Sequence, residues 1–171
     1  MDLNLLSQQD DPVVIVGFFD LMGWMKWSRG RPPGDLLELS AALMQRAGGA
    51  IADAGGLTIK AIGDAGLFIF PPDDPDTALA AVRAMKADCD KWLGTAGYPE
   101  VLRVSIHVGP VACAPVGAPG RELLDIYGEA VNYAAIMKAR PIAVSAVLAE
   151  SLSTERRVGL RRFDAFEFAL D

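Results

Sequence analysis

The chain has 171 residues, of which 51% are hydrophobic and 22% are charged, and its 16 basic and 22 acidic side chains give a net charge of −6. This composition excludes a disordered or low-complexity chain, and the negative charge excludes non-specific, charge-driven binding to nucleic acid. The length predicts one domain over residues 1–171, with its core at about residues 13–140 and a C-terminal helix and strand over residues 141–171.

The sequence carries no recognisable secretory signal, because the first eleven residues contain no lysine or arginine. Its longest uncharged stretch, residues 104–120, is broken by glycines and prolines and is shorter than the roughly 20 apolar residues of a membrane helix. We therefore expect a cytoplasmic protein without a membrane span. The two cysteines, Cys89 and Cys113, lack metal-ligand spacing and are expected to be buried and reduced.

The first predicted elements are a strand, a helix and a hairpin. Residues 12–19 form an apolar run rich in β-branched side chains, which predicts a buried strand that ends at Asp20. Asp35 and Glu38 resemble a capping box before a helix of apolar periodicity that stops at two glycines. Residues 57–62 and 65–70 then predict two strands joined by a Gly-Asp turn, with Asp64 at its tip.

The second half of the chain continues this alternation. Apolar residues at helical spacing predict a helix after residue 75, and Cys89 lies on its apolar stripe. A strand over residues 101–108, a helix over residues 128–140 and a terminal strand over residues 163–170 follow. The order β-α-β-β-α-β, followed by a helix and a strand, predicts an α+β, ferredoxin-like fold with a largely antiparallel sheet.

Asp20 and Asp64 are predicted to meet at one edge of this sheet, because one ends a buried strand and the other lies at the tip of a neighbouring hairpin. Two close carboxylates repel each other unless a cation lies between them, and magnesium prefers carboxylate and phosphate oxygens. The pair therefore suggests a two-metal site for phosphoryl transfer. The alternative is that Asp20 caps a strand and Asp64 only makes a turn.

Four segments around these residues together resemble the catalytic domain of class III nucleotide cyclases. They are FFDLMGW at residues 18–24, IKAIGDAGLFIF at 59–70, RVSIHVGPV at 103–111 and DIYGEAVNYAA at 125–135. The segments occur in the family's order, and the resemblance covers about residues 13–140. It implies the family's fold, in which a ferredoxin-like core carries an extra helix and strands.

The resemblance implies a metal site and a phosphate loop. Asp20 and Asp64 would hold two divalent ions, Mg²⁺ or Mn²⁺, with backbone groups of Phe19 and Leu21. The turn over residues 21–24 looks like the family's phosphate loop, where backbone N–H groups face the polyphosphate. The implied substrate contacts in this region are Phe19, Leu21, Met22, Gly23 and Trp24.

The resemblance also implies a base site and a dimer. Lys60 and Asp125 match the family's base-reading pair; a lysine donor suits adenine N1 and an aspartate acceptor suits the adenine N6 amine. Asn132 matches the asparagine that positions the ribose or the phosphates. In this family the metals and the base-reading residues of one site come from two domains, so a homodimer is expected.

The sequence departs from the family pattern after Asn132. Four residues later the family places an arginine that stabilises charge on the transferring phosphate, and here the residue is Ile136. Loss of such a group typically costs about 10²–10⁵ in rate. Arg140, predicted one helical turn further on, is our candidate for its replacement. The phosphate loop also has Met25 where the family usually has a threonine.

The expected activity is therefore that of an adenylate cyclase, which converts ATP to 3′,5′-cyclic AMP and pyrophosphate, with a rate that Ile136 could reduce. One alternative is an inactive or weak pseudocyclase that dimerises, binds nucleotide and transmits a signal. Another is a cyclase for GTP or a pyrimidine nucleotide. A diguanylate cyclase or polymerase would need its own signature, and no GGDEF-like run occurs. The chain begins close to the first strand, so we expect either that the protein stands alone or that a regulatory domain is missing or separate.

Overall fold

The computed structural model describes all 171 residues. The helices are α1 (Leu3–Leu6), α2 (Trp24–Trp27), α3 (Pro33–Asp53), α4 (Pro75–Thr95), α5 (Glu129–Ile136) and α6 (Ala146–Ser151). The strands are β1 (Val13–Leu21), β2 (Leu57–Ile62), β3 (Ala65–Phe70), β4 (Leu102–Pro110), β5 (Ala112–Val116), β6 (Leu123–Tyr127), β7 (Ile142–Ser145), β8 (Arg161–Arg162) and β9 (Glu167–Leu170). No helix combines the length with the apolar character that crossing a membrane requires.

Seven strands form one sheet in the order β2-β3-β1-β4-β7-β9-β8. Its first four strands have the order of the ferredoxin-like split βαβ unit, and β4–β7 is the one parallel pairing. Helices α3 and α4 cover one face over the main hydrophobic core, while α5 packs against β1 and β4. The predicted fold class is therefore confirmed.

Two glycines set the register between β1 and β3. Gly17 lies opposite Phe68, and Phe19 lies opposite Gly66. A Cβ at Gly17 would lie 2.1 Å from the Phe68 ring, and one at Gly66 would lie 2.2 Å from the Phe19 ring. The two rings stack with centroids 6.2 Å apart, and both are fully buried. This fit fixes the end of β1, which carries Asp20, relative to the β2–β3 hairpin.

The hairpin of residues 57–70 and the buried position of Cys89 are confirmed, while several boundaries differ. Strand β1 runs one residue past the predicted end at Asp20, because Leu21 still pairs with Leu102 of β4. Helix α3 begins at Pro33 without a side-chain cap, so the predicted capping box was wrong. Cys113 is only half-buried, because it lies on the exposed strand β5.

The largest errors fall between residues 111 and 170. The β5–β6 hairpin was not predicted, because its prolines, glycines and exposed side chains resemble a loop. Helix α5 ends at Ile136 and not at Arg140. Met137 is extended, and the residue before Pro141 is disfavoured in a helix. The terminal strand begins at Glu167, since the preceding residues form a turn.

Candidate active site

Asp20 and Asp64 lie beside each other at one edge of the sheet. Asp20 is the penultimate residue of β1, and Asp64 occupies the turn between β2 and β3. The Leu21 N–H, next to Asp20, donates to Asp64 Oδ2 over 3.2 Å. Burial, and in smaller part the charge of Asp20, raise the pKa of Asp64. The predicted carboxylate pair is therefore brought together, with mutual repulsion.

A third charged residue, Arg103, completes this cluster, and the sequence analysis had not singled it out. Arg103 lies opposite Asp20 on β4, and its Nη1 donates to Asp20 Oδ2 over 3.0 Å. Its Nη2 donates to the carbonyls of Met137 at 2.7 Å and Ala135 at 3.3 Å, at the end of α5. The only sequence signal was its position in the segment RVSIHVGPV, since the pairing of β1 with β4 joins residues far apart.

The chemistry of the carboxylate pair fits magnesium or manganese. No group of three or more His, Cys, Asp or Glu side chains is placed to hold a metal alone. Two carboxylates would thus share their ions with backbone carbonyls and the oxygens of a bound polyphosphate, which is the usual magnesium environment. The side chain of Phe19 is fully buried in the core, so only its backbone could contribute a ligand.

The loop over residues 21–24 is held rigidly from outside. The Met22 N–H donates to the carbonyl of Val101 over 3.1 Å, and the Tyr98 hydroxyl donates to the carbonyl of Met22 over 2.6 Å. Burial, followed by the nearby Asp64 charge, raises the pKa of Tyr98 to about 12, so the hydroxyl keeps its proton. Gly23 supplies the positive φ of +74° that the turn requires.

This loop offers fewer free donors than the sequence suggested. The N–H groups of Leu21 and Met22 have acceptors within the protein, whereas those of Gly23 and Trp24 have none. The Trp24 ring stacks on Trp27, with centroids 5.5 Å apart, and Trp27 packs on Tyr98 at 5.0 Å. Trp24 therefore supports the loop by packing, and only its backbone N–H is left to face a ligand.

After Arg103 and Asp20, Lys60 and Asp125 form a second pair of oppositely charged side chains among the candidate site residues. The Lys60 ammonium donates to Asp125 Oδ2 over 2.5 Å, although 65 residues separate the two. Asp125 Oδ1 also accepts the Ile126 N–H over 2.8 Å. Strand β2, which carries Lys60, and strand β6, which carries Asp125, thus place an ammonium donor and a carboxylate acceptor side by side.

A pocket of about 450 Å³ opens next to this pair, and we call it the base pocket because the family resemblance implies a base-reading role for Lys60 and Asp125. Lys60 and Asn132 both line it, and the Lys60 ammonium lies 5.6 Å from the centre of the Tyr127 ring. Neither Asp20 nor Asp64 is among its lining residues. Its complete lining is Phe18, Lys60, Ile62, Leu67, Ile126, Tyr127, Gly128, Glu129, Val131 and Asn132.

Arg140 is not one helical turn beyond Ile136, because α5 ends there, so that prediction was wrong. The turn after the helix nevertheless brings Arg140 beside Arg103. Arg140 Nη1 donates to the carbonyls of Met137 at 3.2 Å and Ala139 at 2.8 Å, so the two guanidinium groups share the Met137 carbonyl. Burial and the charge of Arg103 lower the pKa of Arg140. The Ile136 side chain is 70% exposed and contributes no charge.

The architecture is that of the nucleotide cyclases of known structure. A bacterial light-regulated adenylyl cyclase matches 95% of this chain with a TM-score of 0.82 at 16% identity, over 54% of its own length. The guanylyl cyclase Cya2 matches 94% with a TM-score of 0.78 at 18% identity, over 93% of its length. The adenylyl cyclase CyaB from P. aeruginosa matches 93% with a TM-score of 0.74 at 19% identity, over 92% of its length.

The sequence comparisons agree with this architecture. The family model of the adenylate and guanylate cyclase catalytic domain matches residues 5–164. An adenylate cyclase of Anabaena cylindrica is 31% identical over an alignment of 125 residues that covers 68% of this chain and 25% of that protein. The chain therefore belongs to the adenylate and guanylate cyclase catalytic domain family, and it spans about a quarter of this curated relative.

Proposed function

We propose that the chain is an adenylate cyclase that converts ATP to 3′,5′-cyclic AMP and pyrophosphate. The observation that carries the choice of ATP is the ion pair of Lys60 and Asp125 beside the base pocket. An ammonium donor matches the N1 acceptor of adenine, and a carboxylate acceptor matches the N6 amine. Guanine presents a donor at N1 and an acceptor at O6, so both groups would be left mispaired.

The reaction joins the ribose 3′-oxygen to the α-phosphorus and breaks the bond from that phosphorus to the oxygen bridging the β-phosphate. Pyrophosphate leaves with the electron pair of the broken bond, and the proton of the 3′-hydroxyl passes to solvent water. Asp20 and Asp64 would hold two divalent ions, Mg²⁺ or Mn²⁺, which supply Lewis-acid stabilisation when bound. Asn132, in the base pocket, would orient the ribose through its amide, which can both donate and accept.

Arg103 and Arg140 would supply the positive charge that Ile136 does not. Both guanidinium groups sit at the end of α5, and Arg103 contacts Asp20 directly. A fixed cation next to the carboxylate pair stabilises the negative charge that builds on the phosphates. Because the cation is already in position, its stabilising effect requires no reorganisation during the reaction. The backbone N–H groups of Gly23 and Trp24 would contact the polyphosphate, with Leu21 and Met22 holding the shape of the loop.

The active form in this proposal is a homodimer with two sites. Within one chain, neither Asp20 nor Asp64 lines the base pocket. Each site would therefore combine the carboxylates of one copy with the base pocket of the other. A Lys60→Ala/Asp125→Ala chain mixed with an Asp20→Ala/Asp64→Ala chain then regains one intact site per heterodimer. We expect about a quarter of the wild-type activity from an equal mixture and essentially none from either variant alone.

The experiment that tests the activity measures products from ATP, GTP, CTP and UTP with Mg²⁺ and with Mn²⁺. Cyclic AMP formed by the wild type and lost in Asp20→Ala and Asp64→Ala supports the proposal, with Asp73→Ala as the control because Asp73 is exposed on the loop after β3. Selective cyclisation of GTP would overturn the choice of substrate. No cyclic product from any nucleotide would favour a pseudocyclase, the candidate that the uncharged Ile136 supports.

A further inference from the structure

A buried glutamate on the last strand, Glu167, holds the segment that follows α5. Glu167 is 7% exposed, and its Oε2 accepts the N–H groups of Lys138 at 2.7 Å and Ala139 at 2.8 Å. It forms no salt bridge. A buried carboxylate without a paired cation is costly, and a neutral acceptor would satisfy the same two N–H groups. The two hydrogen bonds to this turn therefore do not by themselves require a charged residue at position 167.

The peptide unit between Met137 and Lys138 connects Glu167 to the carboxylate pair. Its N–H donates to Glu167, and its carbonyl accepts Arg103 Nη2 over 2.7 Å. The other guanidinium nitrogen of Arg103 holds Asp20. In a trans peptide the N–H and the carbonyl point in opposite directions, so the negative Glu167 and the positive Arg103 lie at the favourable ends of one dipole.

We propose that Glu167 is a positioning residue, which holds and polarises the Met137–Lys138 peptide so that its carbonyl fixes the Arg103 guanidinium against Asp20. The inference deepens the proposed cyclase function and relies on it for its catalytic consequence. It assigns to the C-terminal strand a role at Asp20, which is more than 140 residues away in sequence. It also explains how a shortened α5, without an arginine at position 136, keeps a cation aimed at the carboxylate pair.

A double-mutant cycle between Glu167 and Arg103 tests this role. The variants are Glu167→Ala, Arg103→Gln and the double variant, measured for free Mn²⁺ binding by electron paramagnetic resonance and for kcat and KM with ATP. We expect Glu167→Ala to lower kcat about tenfold and to shift Mn²⁺ affinity in the direction that Arg103→Gln does, because both loosen the guanidinium at Asp20. In the Arg103→Gln background, Glu167→Ala should change neither quantity further.

Equal effects of Glu167→Ala in both backgrounds would overturn the proposal, since they describe a residue that acts on stability alone. Ser145→Ala is the matched control: Ser145 is buried, lies opposite Glu167 and caps α6 through the Leu148 N–H, and its side chain forms no hydrogen bond with residues 137–139. It should lower the melting temperature and leave kcat and Mn²⁺ affinity unchanged.

Should Glu167→Ala fail to fold, Glu167→Gln keeps an acceptor for both N–H groups and removes only the charge. Because charge-assisted hydrogen bonds are about twice as strong, we expect a kcat loss of roughly threefold that disappears in the Arg103→Gln background. An equal loss in both backgrounds rejects the proposal. The Mn²⁺ cycle needs no turnover, so an inactive wild type would refute the cyclase function while Glu167 coupling is still measured.

Discussion

Arg103 and Asp20 face each other across β1 and β4, and the guanidinium donates to the carboxylate over 3.0 Å. Asp20, a proposed metal ligand, is thus paired with a positive charge from its own chain. The same guanidinium reaches the carbonyls that end α5. Arg103 therefore offsets the repulsion between Asp20 and Asp64 before any ion binds, and a divalent ion at Asp20 must share this carboxylate with it.

We expect Arg103→Gln to bind Mn²⁺ more tightly in the absence of nucleotide while losing catalytic rate. A partly exposed ion pair is worth up to about 1 kcal/mol, so its removal should strengthen Mn²⁺ binding by roughly threefold. Paramagnetic resonance of free Mn²⁺ measures this directly. Arg46→Gln is the control, because Arg46 pairs with Asp88 between α3 and α4. Weaker Mn²⁺ binding by Arg103→Gln would contradict the competition.

Exchange of the two charges of the proposed base-reading pair should change nucleotide selectivity. The variant Lys60→Glu/Asp125→Lys keeps an ion pair beside the base pocket but swaps the positions of donor and acceptor. We expect the ratio of kcat/KM for ATP over GTP to fall by roughly a hundredfold, because buried mispaired groups strongly disfavour the wrong base. Lys60→Glu alone, which faces Asp125 with a like charge, should lose activity with both nucleotides. An unchanged ratio in the double variant would show that other residues read the base.

Asp64→Asn should abolish activity and stabilise the metal-free fold. The folded-state pKa of Asp64 is raised, so its ionised form weakens the folded state at pH 7; this penalty shrinks as pH falls through the folded-state pKa and is gone below the unfolded-state pKa. The asparagine oxygen can still accept the Leu21 N–H. We expect a higher melting temperature than wild type at pH 7 in EDTA, with the difference closing once the pH is below the unfolded-state pKa of about 4. A lower melting temperature for the variant at pH 7 would refute this account.

Gly66→Ala should destabilise the fold through the β1–β3 register. Its new Cβ would collide with the Phe19 ring at 2.2 Å, and forced overpacking of a core typically costs about 1–3 kcal/mol. Chemical denaturation measures the free energy of unfolding. Gly49→Ala is the matched control, since Gly49 lies within α3 with open space around it and alanine favours a helix by about 1 kcal/mol. Equal stability of both variants would show that the Phe19 ring can move aside.

The sequence determined those features that depend on neighbouring residues. Alternation and a Gly-Asp turn defined the β2–β3 hairpin, with Asp64 at its tip, and helical periodicity placed Cys89 in the core. The order of elements was sufficient to predict the ferredoxin-like sheet. Connections between strands are normally short and right-handed, and few arrangements of these elements meet both conditions. The position of Asp20 next to Asp64 followed from that topology.

Only the tertiary structure decided which distant groups share hydrogen bonds. Arg103 contacts Asp20, and Glu167 contacts the turn after α5. Both contacts depend on the register between strands that are far apart in sequence. Local sequence patterns do not encode this register where the strands extend beyond their apolar segments. The end of α5 at Ile136 depends on the same packing, because the N–H groups of Lys138 and Ala139, which follow the helix, donate to Glu167 on the last strand. The helix prediction for Arg140 failed for this reason, although the turn still delivers its guanidinium to the side of Arg103.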